Sequence, residues 1–219
     1  MKKIIFNDRY DLTKAVIEGR KTMMRWIISG GTLLPEDRIE YASICPDGFV
    51  NIIANDGRSF IDVKYSYKVG EIVAVAQKYE DLANIYHDKG LYLLQLSKVH
   101  GYKLAYITKL PGWRNKMLVK SELMPHQIRI TGIKCERLQD ISDADCLKEG
   151  IFVNEYSDNG KKSHHYGFDG FFNGTEGWFA RGWYNTPREA FAALINKVCR
   201  KGTWASNPWV VCYEFELVK

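Results

Sequence analysis

Short apolar runs separated by turn residues dominate the chain. Residues 3–6 form a first apolar run that predicts a strand. In 11–18, Leu12, Ala15 and Val16 recur at helical spacing and Gly19 closes the segment, which predicts a short helix. Residues 27–68 alternate apolar runs with turn signals at Gly30-Gly31, Pro46-Asp47-Gly48 and Asn55-Asp56-Gly57. The runs 49–54 and 59–65 flank the last of these and predict a β-hairpin. The unbroken apolar run 72–76 fits a buried strand. Residues 79–89 predict a short helix ended by Gly90, and 91–99 fit either a helix or a strand.

The second half carries stronger signals. In 127–135, Ile128 and Ile130 alternate with Arg129 and Thr131, the pattern of a half-buried strand. Ser142 followed three residues on by Asp145, with Gly150 beyond, predicts a capped helix with acids in its first turn. Residues 152–184 interleave glycines with Tyr166, Phe168, Phe171, Phe172, Trp178, Phe179 and Trp183, which predicts an Ω-like insertion packed by its own rings. Thr186-Pro187-Arg188-Glu189 supplies an N-cap, a proline at the first helical position and a glutamate at the third. Ala190, Phe191, Leu194, Ile195 and Val198 then form one apolar stripe to about Lys201, with Gly202 as the stop. Residues 209–217 alternate, placing Trp209, Val211, Tyr213, Phe215 and Leu217 on one face. Strands outnumber helices, so the expected class is α+β: a mixed barrel or curled sheet with two or three packed helices, in one domain over 1–219.

Composition narrows the class of partner more than the fold. With 219 residues, 46% hydrophobic and 26% charged, the chain has the balance of a soluble globular protein. Its net charge of +5 permits a nucleic-acid partner without requiring one. The five cysteines are odd in number, widely spaced and contain no C-x-x-C pair, which points to free thiols in a reducing cytoplasm and away from a zinc site. The opening Met-Lys-Lys is followed by too short an apolar run for a signal peptide, and no run reaches membrane-spanning length, so no membrane partner is expected. The adjacent His164 and His165 point opposite ways in a strand and make a weak metal pair; no metal and no cofactor are expected.

Two stretches carry candidate chemistry. Arg20, Lys21 and Arg25 crowd beside the helix-ending Gly19, an arrangement suited to an anionic or carbonyl-bearing ligand. Between Lys98 and Arg137 there are nine Lys or Arg and two acids, Glu122 and Glu136, with Tyr102, Tyr106 and Trp113 among them. Cations that track phosphates, interleaved with rings that stack bases, characterise single-stranded nucleic-acid grooves. Both stretches also fit plain solvated charge.

Four pieces, in order, resemble the ASCH domain of the PUA-like superfamily, in its prophage-associated bacterial form. They are Ile4-Ile-Phe-Asn7 with Ile17-Glu-Gly-Arg-Lys-Thr22; Val69-Gly-Glu-Ile-Val73; Ile130-Thr131 through Glu136-Arg-Leu-Gln-Asp-Ile-Ser142 to Glu149-Gly-Ile151; and Thr186-Pro-Arg-Glu-Ala-Phe191 with Asn207-Pro-Trp-Val210 and Glu214-Phe215. The resemblance implies a PUA-like mixed β-barrel with flanking helices beside a cleft, with insertions at about 30–68 and 152–185. It also implies binding of RNA, a nucleotide or a modified base, with Arg20, Lys21, Thr22, Arg25 and Glu149 as the contact residues.

Some small ASCH proteins are amidohydrolases on acylated cytidine and carry G-x-K-x-x-T-x-R with a distant Glu. In this chain the lysine falls on Lys21 and the glutamate on Glu149, the catalytic pair if there is an enzyme. The threonine falls on Met24 and the arginine on Trp26, and a thioether cannot act as the hydroxyl would. Three readings therefore stand open: a binding module, a phage accessory protein that has kept the fold without the site, and an amidohydrolase.

Overall fold

The computed structural model describes residues 1–28, 38–45, 48–85, 88–158, 161–169 and 183–218. The class is mixed α+β, as expected. The chain divides into two compact units: a smaller one of 1–6, 72–128 and 218–219, and a larger one of 7–71 and 129–217.

In the smaller unit, β1 (Lys3–Ile4) pairs in parallel with β6 (Ile72–Val75). The first residues of the long strand β7 (Gln127–Arg137) lie on the other side of β6, where the Val75 amide donates to the His126 carbonyl at 2.9 Å. Between these strands the chain forms α2 (Tyr79–Ile85), α3 (Lys89–His100) and a series of short 3-10 helices. Ala74, Ala76, Tyr79, Leu82, Leu96, Ile107, Trp113 and Met124 make its core. Gly90 does not end a helix. Asp88 caps a new one by accepting the Leu91 amide at 2.9 Å, so Gly90 falls in the first turn of α3, and the ambiguous segment 91–99 is helical.

The larger unit is built around β2 (Met23–Ile27) and β10 (Trp209–Leu217), paired antiparallel with Arg25 opposite Cys212 and Met24 opposite Tyr213. The Thr22 carbonyl accepts the Phe215 amide at 2.9 Å, extending that ladder by one step. Gly70 and Glu71 exchange backbone bonds with Ile130 of β7 at 2.7 and 3.0 Å. A second sheet of β3 (Ile39–Ile44), β4 (Phe49–Ala54) and β5 (Ser59–Lys64) contains the expected 49–65 hairpin. Among the described residues, four helices belong to this unit. They are α1 (Leu12–Ile17), α4 (Asp143–Lys148), α5 (Pro187–Val198) and the short α6 (Thr203–Ser206). Ser142 and Thr186 cap α4 and α5 by accepting the amides of Asp145 and Glu189 at 3.1 and 3.2 Å.

Three expectations are corrected. β10 is buried on both faces from Val210 to Tyr213, because Arg25, itself packed over the Phe191 ring, stands opposite Cys212 on one side while Tyr67 and Trp26 cover Tyr213 on the other. The α5 stripe stops at Val198, and Gly202, at φ +92°, starts α6. The segment 152–167 is no Ω-loop: β8 (Phe152–Asp158) and β9 (Lys161–Gly167) form an antiparallel hairpin paired from Phe152↔Gly167 to Asp158↔Lys161. The two residues between the last pair are Asn159 and Gly160, a dipeptide favoured in tight hairpin connections. Residues 170–182 of the Gly-aromatic stretch lie outside the described residues.

Gly112 shows how tightly the smaller unit is packed. It sits at φ +97°, and a Cβ there would lie 2.7 Å from the ring of the fully buried Tyr79. Gly112→Ala therefore adds backbone strain to overpacking, and is expected to lower unfolding stability by about 2–4 kcal/mol, read as a fall in urea midpoint at unchanged slope.

Candidate functional site

The candidate site grows from the sharp turn at the end of α1. The amides of Arg20 and Lys21 both donate to the Ala15 carbonyl at 2.9 Å, and Gly19 takes φ +73°, which suits a glycine. The chain then enters β2. With side chains alternating along the strand, Met23 and Arg25 share one face and Met24 and Trp26 the other. The Thr22 amide donates to the Lys148 carbonyl at 2.8 Å, tying the start of β2 to the last turn of α4.

Glu149 follows α4 directly and is the meeting point. Its Oε2 accepts from Lys21 Nζ at 2.6 Å, its Oε1 accepts from Arg25 Nη1 at 2.7 Å, and its carbonyl accepts a second bond from Lys21 Nζ at 2.9 Å. Arg25 also reaches Glu136 of β7, through Nη2 at 2.6 Å and Nε at 3.0 Å, and lies 3.7 Å from Asp145. Lys134 joins Glu136 at 2.9 Å and Asp145 at 3.5 Å, and Lys148 joins Asp145 at 3.3 Å. Four cations and three carboxylates form one network.

Its centre is closed to solvent: Lys21, Arg25 and Glu149 are 3%, 7% and 4% exposed. Burial on its own would lower the pKa of Arg25, but the carboxylates of Glu149 and Glu136 outweigh it and hold the guanidinium charged. Burial pushes the Cys212 and Cys146 thiols up to about 12, so both stay neutral beside Arg25 at physiological pH. Gly150, at φ +101°, lets the chain turn over this centre. A Cβ there would meet Leu12 at 3.3 Å and the Lys21 stem at 3.7 Å.

The structure thus brings Lys21, Arg25 and Glu149 together. Arg20 is directed elsewhere: it pairs with Glu18 at 2.8 Å and Asp169 at 3.0 Å on the surface. Thr22 contributes its backbone to the two adjoining elements. Met24 is buried and Trp26 exposed, both on the strand face opposite Arg25, so neither fills the charged centre. The amidohydrolase arrangement needs a hydroxyl beside the lysine, and Met24 provides none. Among the described residues, no group of three His, Cys, Asp or Glu side chains is placed to hold a metal ion. Likewise, no helix among them is long and apolar enough to cross a membrane.

Glu136, Asp145 and Lys134 were not singled out from sequence as site residues. The signals for them were present. Asp145 and Glu149 are four apart and so share a helix face, while Lys134 and Glu136 are two apart on one strand face. Compared with known proteins, the chain matches no family model, no curated protein and no solved structure.

Two measurements check this account. Glu149→Gln leaves two buried cations with a neutral partner and is expected to cost about 3–5 kcal/mol of stability in denaturant unfolding. Arg20→Gln, at the exposed pair, is expected to cost less than about 1 kcal/mol.

The second is a pH dependence. Burial raises the Asp145 pKa, but the charges of Lys134, Lys148 and Arg25 outweigh it and hold the carboxyl below its ordinary 3.8. A depressed carboxylate stabilises the fold above its unfolded value, and that stabilisation is lost as the pH falls through the folded value. The urea midpoint is therefore expected to fall below about pH 4, and less steeply in Asp145→Asn.

Proposed function

We propose that the protein is a binding module for single-stranded RNA, of the ASCH type within the PUA-like superfamily, with the phosphate backbone held on the smaller unit. The observation that carries this reading is the partition of charge. The smaller unit has eleven Lys or Arg against four Asp or Glu, a net of +7, while the larger unit has twenty against twenty-two, a net of −2. An excess of this size on one small unit is the electrostatic footprint expected of a polyanion partner.

The surface chemistry agrees. Lys98, Lys103, Lys109, Arg114 and Lys120 are exposed, and so are the rings of Tyr102 and Tyr106. Lys109 Nζ lies 5.3 Å from the Tyr106 ring centroid. Trp113, the third aromatic of this stretch, is instead a core residue whose indole N–H donates to Glu80 at 3.2 Å. Bases would stack on the two tyrosines while the lysines follow the phosphates. The meeting of Lys21 with Glu149, the two positions that the resemblance pairs, supports the family reading, and the PUA-like barrel with its flanking helices belongs to the same proposal. On this reading the buried network holds the fold in place and the ligand binds elsewhere. A second reading, an accessory protein that docks onto another protein, draws on the exposed Leu91 and Leu94 of α3.

The test is fluorescence anisotropy with a labelled single-stranded RNA across a salt series. The expected result is a linear fall of log affinity with log salt, and a slope shallower by about 0.7 for each lysine removed in Lys103→Ala and Lys109→Ala. Absence of binding at low salt would overturn the reading.

A further inference from the structure

The larger unit has a surface that the charged network does not use. Trp26 is 39% exposed and Tyr41 49%, both large rings on strands. They belong to one aromatic series. Trp26 lies 5.5 Å from Tyr67 and 5.6 Å from Tyr213, and Tyr67 lies 5.6 Å from Tyr213. Tyr41 meets Trp209 edge to face at 5.5 Å. The two groups adjoin through Trp209, with Tyr41 on β3 of the second sheet and Trp209 on β10. Val211 stands directly opposite Trp26 in the β2–β10 ladder, so Trp209, two residues along, is its diagonal neighbour at about 7–8 Å. The aromatic surface therefore runs Tyr41, Trp209, Trp26, Tyr213, Tyr67, solvent-facing at Tyr41 and Trp26 and rigidly backed at Tyr213 and Tyr67.

One cation is built into this series. The Arg137 guanidinium lies 4.9 Å from the Trp209 ring centroid. Its donors go to the carbonyls of Ile39 at 2.9 Å and Asn207 at 3.3 Å. Among the described residues no carboxylate pairs with it, so its charge is held in place without being cancelled. Burying rings for stability alone does not require two of them on the surface beside an uncompensated arginine. Exposed rings joined through a third ring that carries a cation suit planar heterocycles joined by an anionic backbone.

We propose that this aromatic surface is a second contact surface for single-stranded RNA, with Trp26 and Tyr41 stacking bases and Arg137 facing the intervening phosphate. The proposal rests on the RNA-binding reading above and extends it to a different unit and a different force. The basic unit supplies salt-dependent attraction; this surface supplies stacking, which changes little with salt.

The experiment measures anisotropy with two labelled 12-nucleotide probes, a mixed-sequence RNA and an abasic ribose-phosphate strand of the same length. The proteins are the wild type, Trp26→Ala, Tyr41→Ala, Trp26→Phe and the double variant Lys103→Ala with Lys109→Ala. Each ring removal is expected to weaken RNA binding on the order of tenfold with an unchanged salt slope. Binding of the abasic strand is expected to stay the same, and Trp26→Phe to retain most of the affinity.

Wild-type affinity for RNA in both alanine variants would overturn the stacking surface, while a reduced salt slope in the lysine variant would leave the basic surface standing. Loss only in the ring variants would do the reverse. Equal weakening toward both probes would also overturn stacking, since a lost ring cannot be missed by a strand without bases. No RNA binding by the wild type at low salt would remove both proposals.

Discussion

The Glu149 carboxylate is the constraint around which the larger unit is arranged. Lys21 and Arg25 are out of solvent on either side of it, and burying three charges is unfavourable unless each finds its partners. That requirement reaches well beyond the three residues. Arg25 must stand on the inner face of β2, opposite Cys212, whose thiol stays neutral. Glu136 must come from β7 to take the remaining donors of Arg25. Gly150 must turn the chain with no side chain, because Leu12 and the stem of Lys21 occupy the space. Three elements distant in sequence are thereby fixed by one carboxylate.

A buried network of this kind separates holding the fold from meeting a ligand. Its donors and acceptors already satisfy one another, so a phosphate entering there would have to displace internal bonds made at 2.6 and 2.7 Å. The excess of positive charge lies elsewhere, on the smaller unit, with eleven Lys or Arg against four Asp or Glu. The same residue types thus serve opposite purposes in the two units. In the larger, cations and carboxylates nearly balance and lock elements together. In the smaller, the imbalance is left facing solvent, where it can attract an anion over the distance that salt screening permits.

Much of this was legible in the sequence where a local rule has only one solution. Thr186-Pro187 and Ser142 with Asp145 mark the caps of α5 and α4, and both caps form. The hairpin around Asn55-Asp56-Gly57 follows from its turn chemistry. The pairing of Lys21 with Glu149 was an expectation drawn from a resemblance in short pieces toward both ends of the chain, because periodicity carries no information on contacts between distant segments, and Arg25 lay outside it.

What escaped was set by tertiary packing or by competing local signals. β10 alternates like a strand with one wet face, yet Arg25 with Phe191 and Trp26 with Tyr67 cover both sides. The rings of 152–184 outweighed Asn159-Gly160, although that dipeptide was the better guide to the β8–β9 pairing. Burial of the charged centre could not be read at all. A lysine beside a glycine looks the same in sequence whether its ammonium meets water or a carboxylate.

Strand alternation finally changes how positions 24 and 26 are understood. Aligned with the hydrolase pattern, Met24 and Trp26 read as two losses from a catalytic site. On the strand they occupy the face away from Lys21 and Glu149, and the cation on the charged side is Arg25, one residue earlier. Met24 is buried opposite Tyr213, and Trp26 leans on Tyr67 and Tyr213 with part of its ring in solvent. A shift of one residue on a strand exchanges faces completely. A threonine and an arginine at 24 and 26 would place polar groups against these aromatic rings, where nothing in the network could reach them. The residues found there fit the packing of that face, and they leave its outer edge as an aromatic surface beside Arg137.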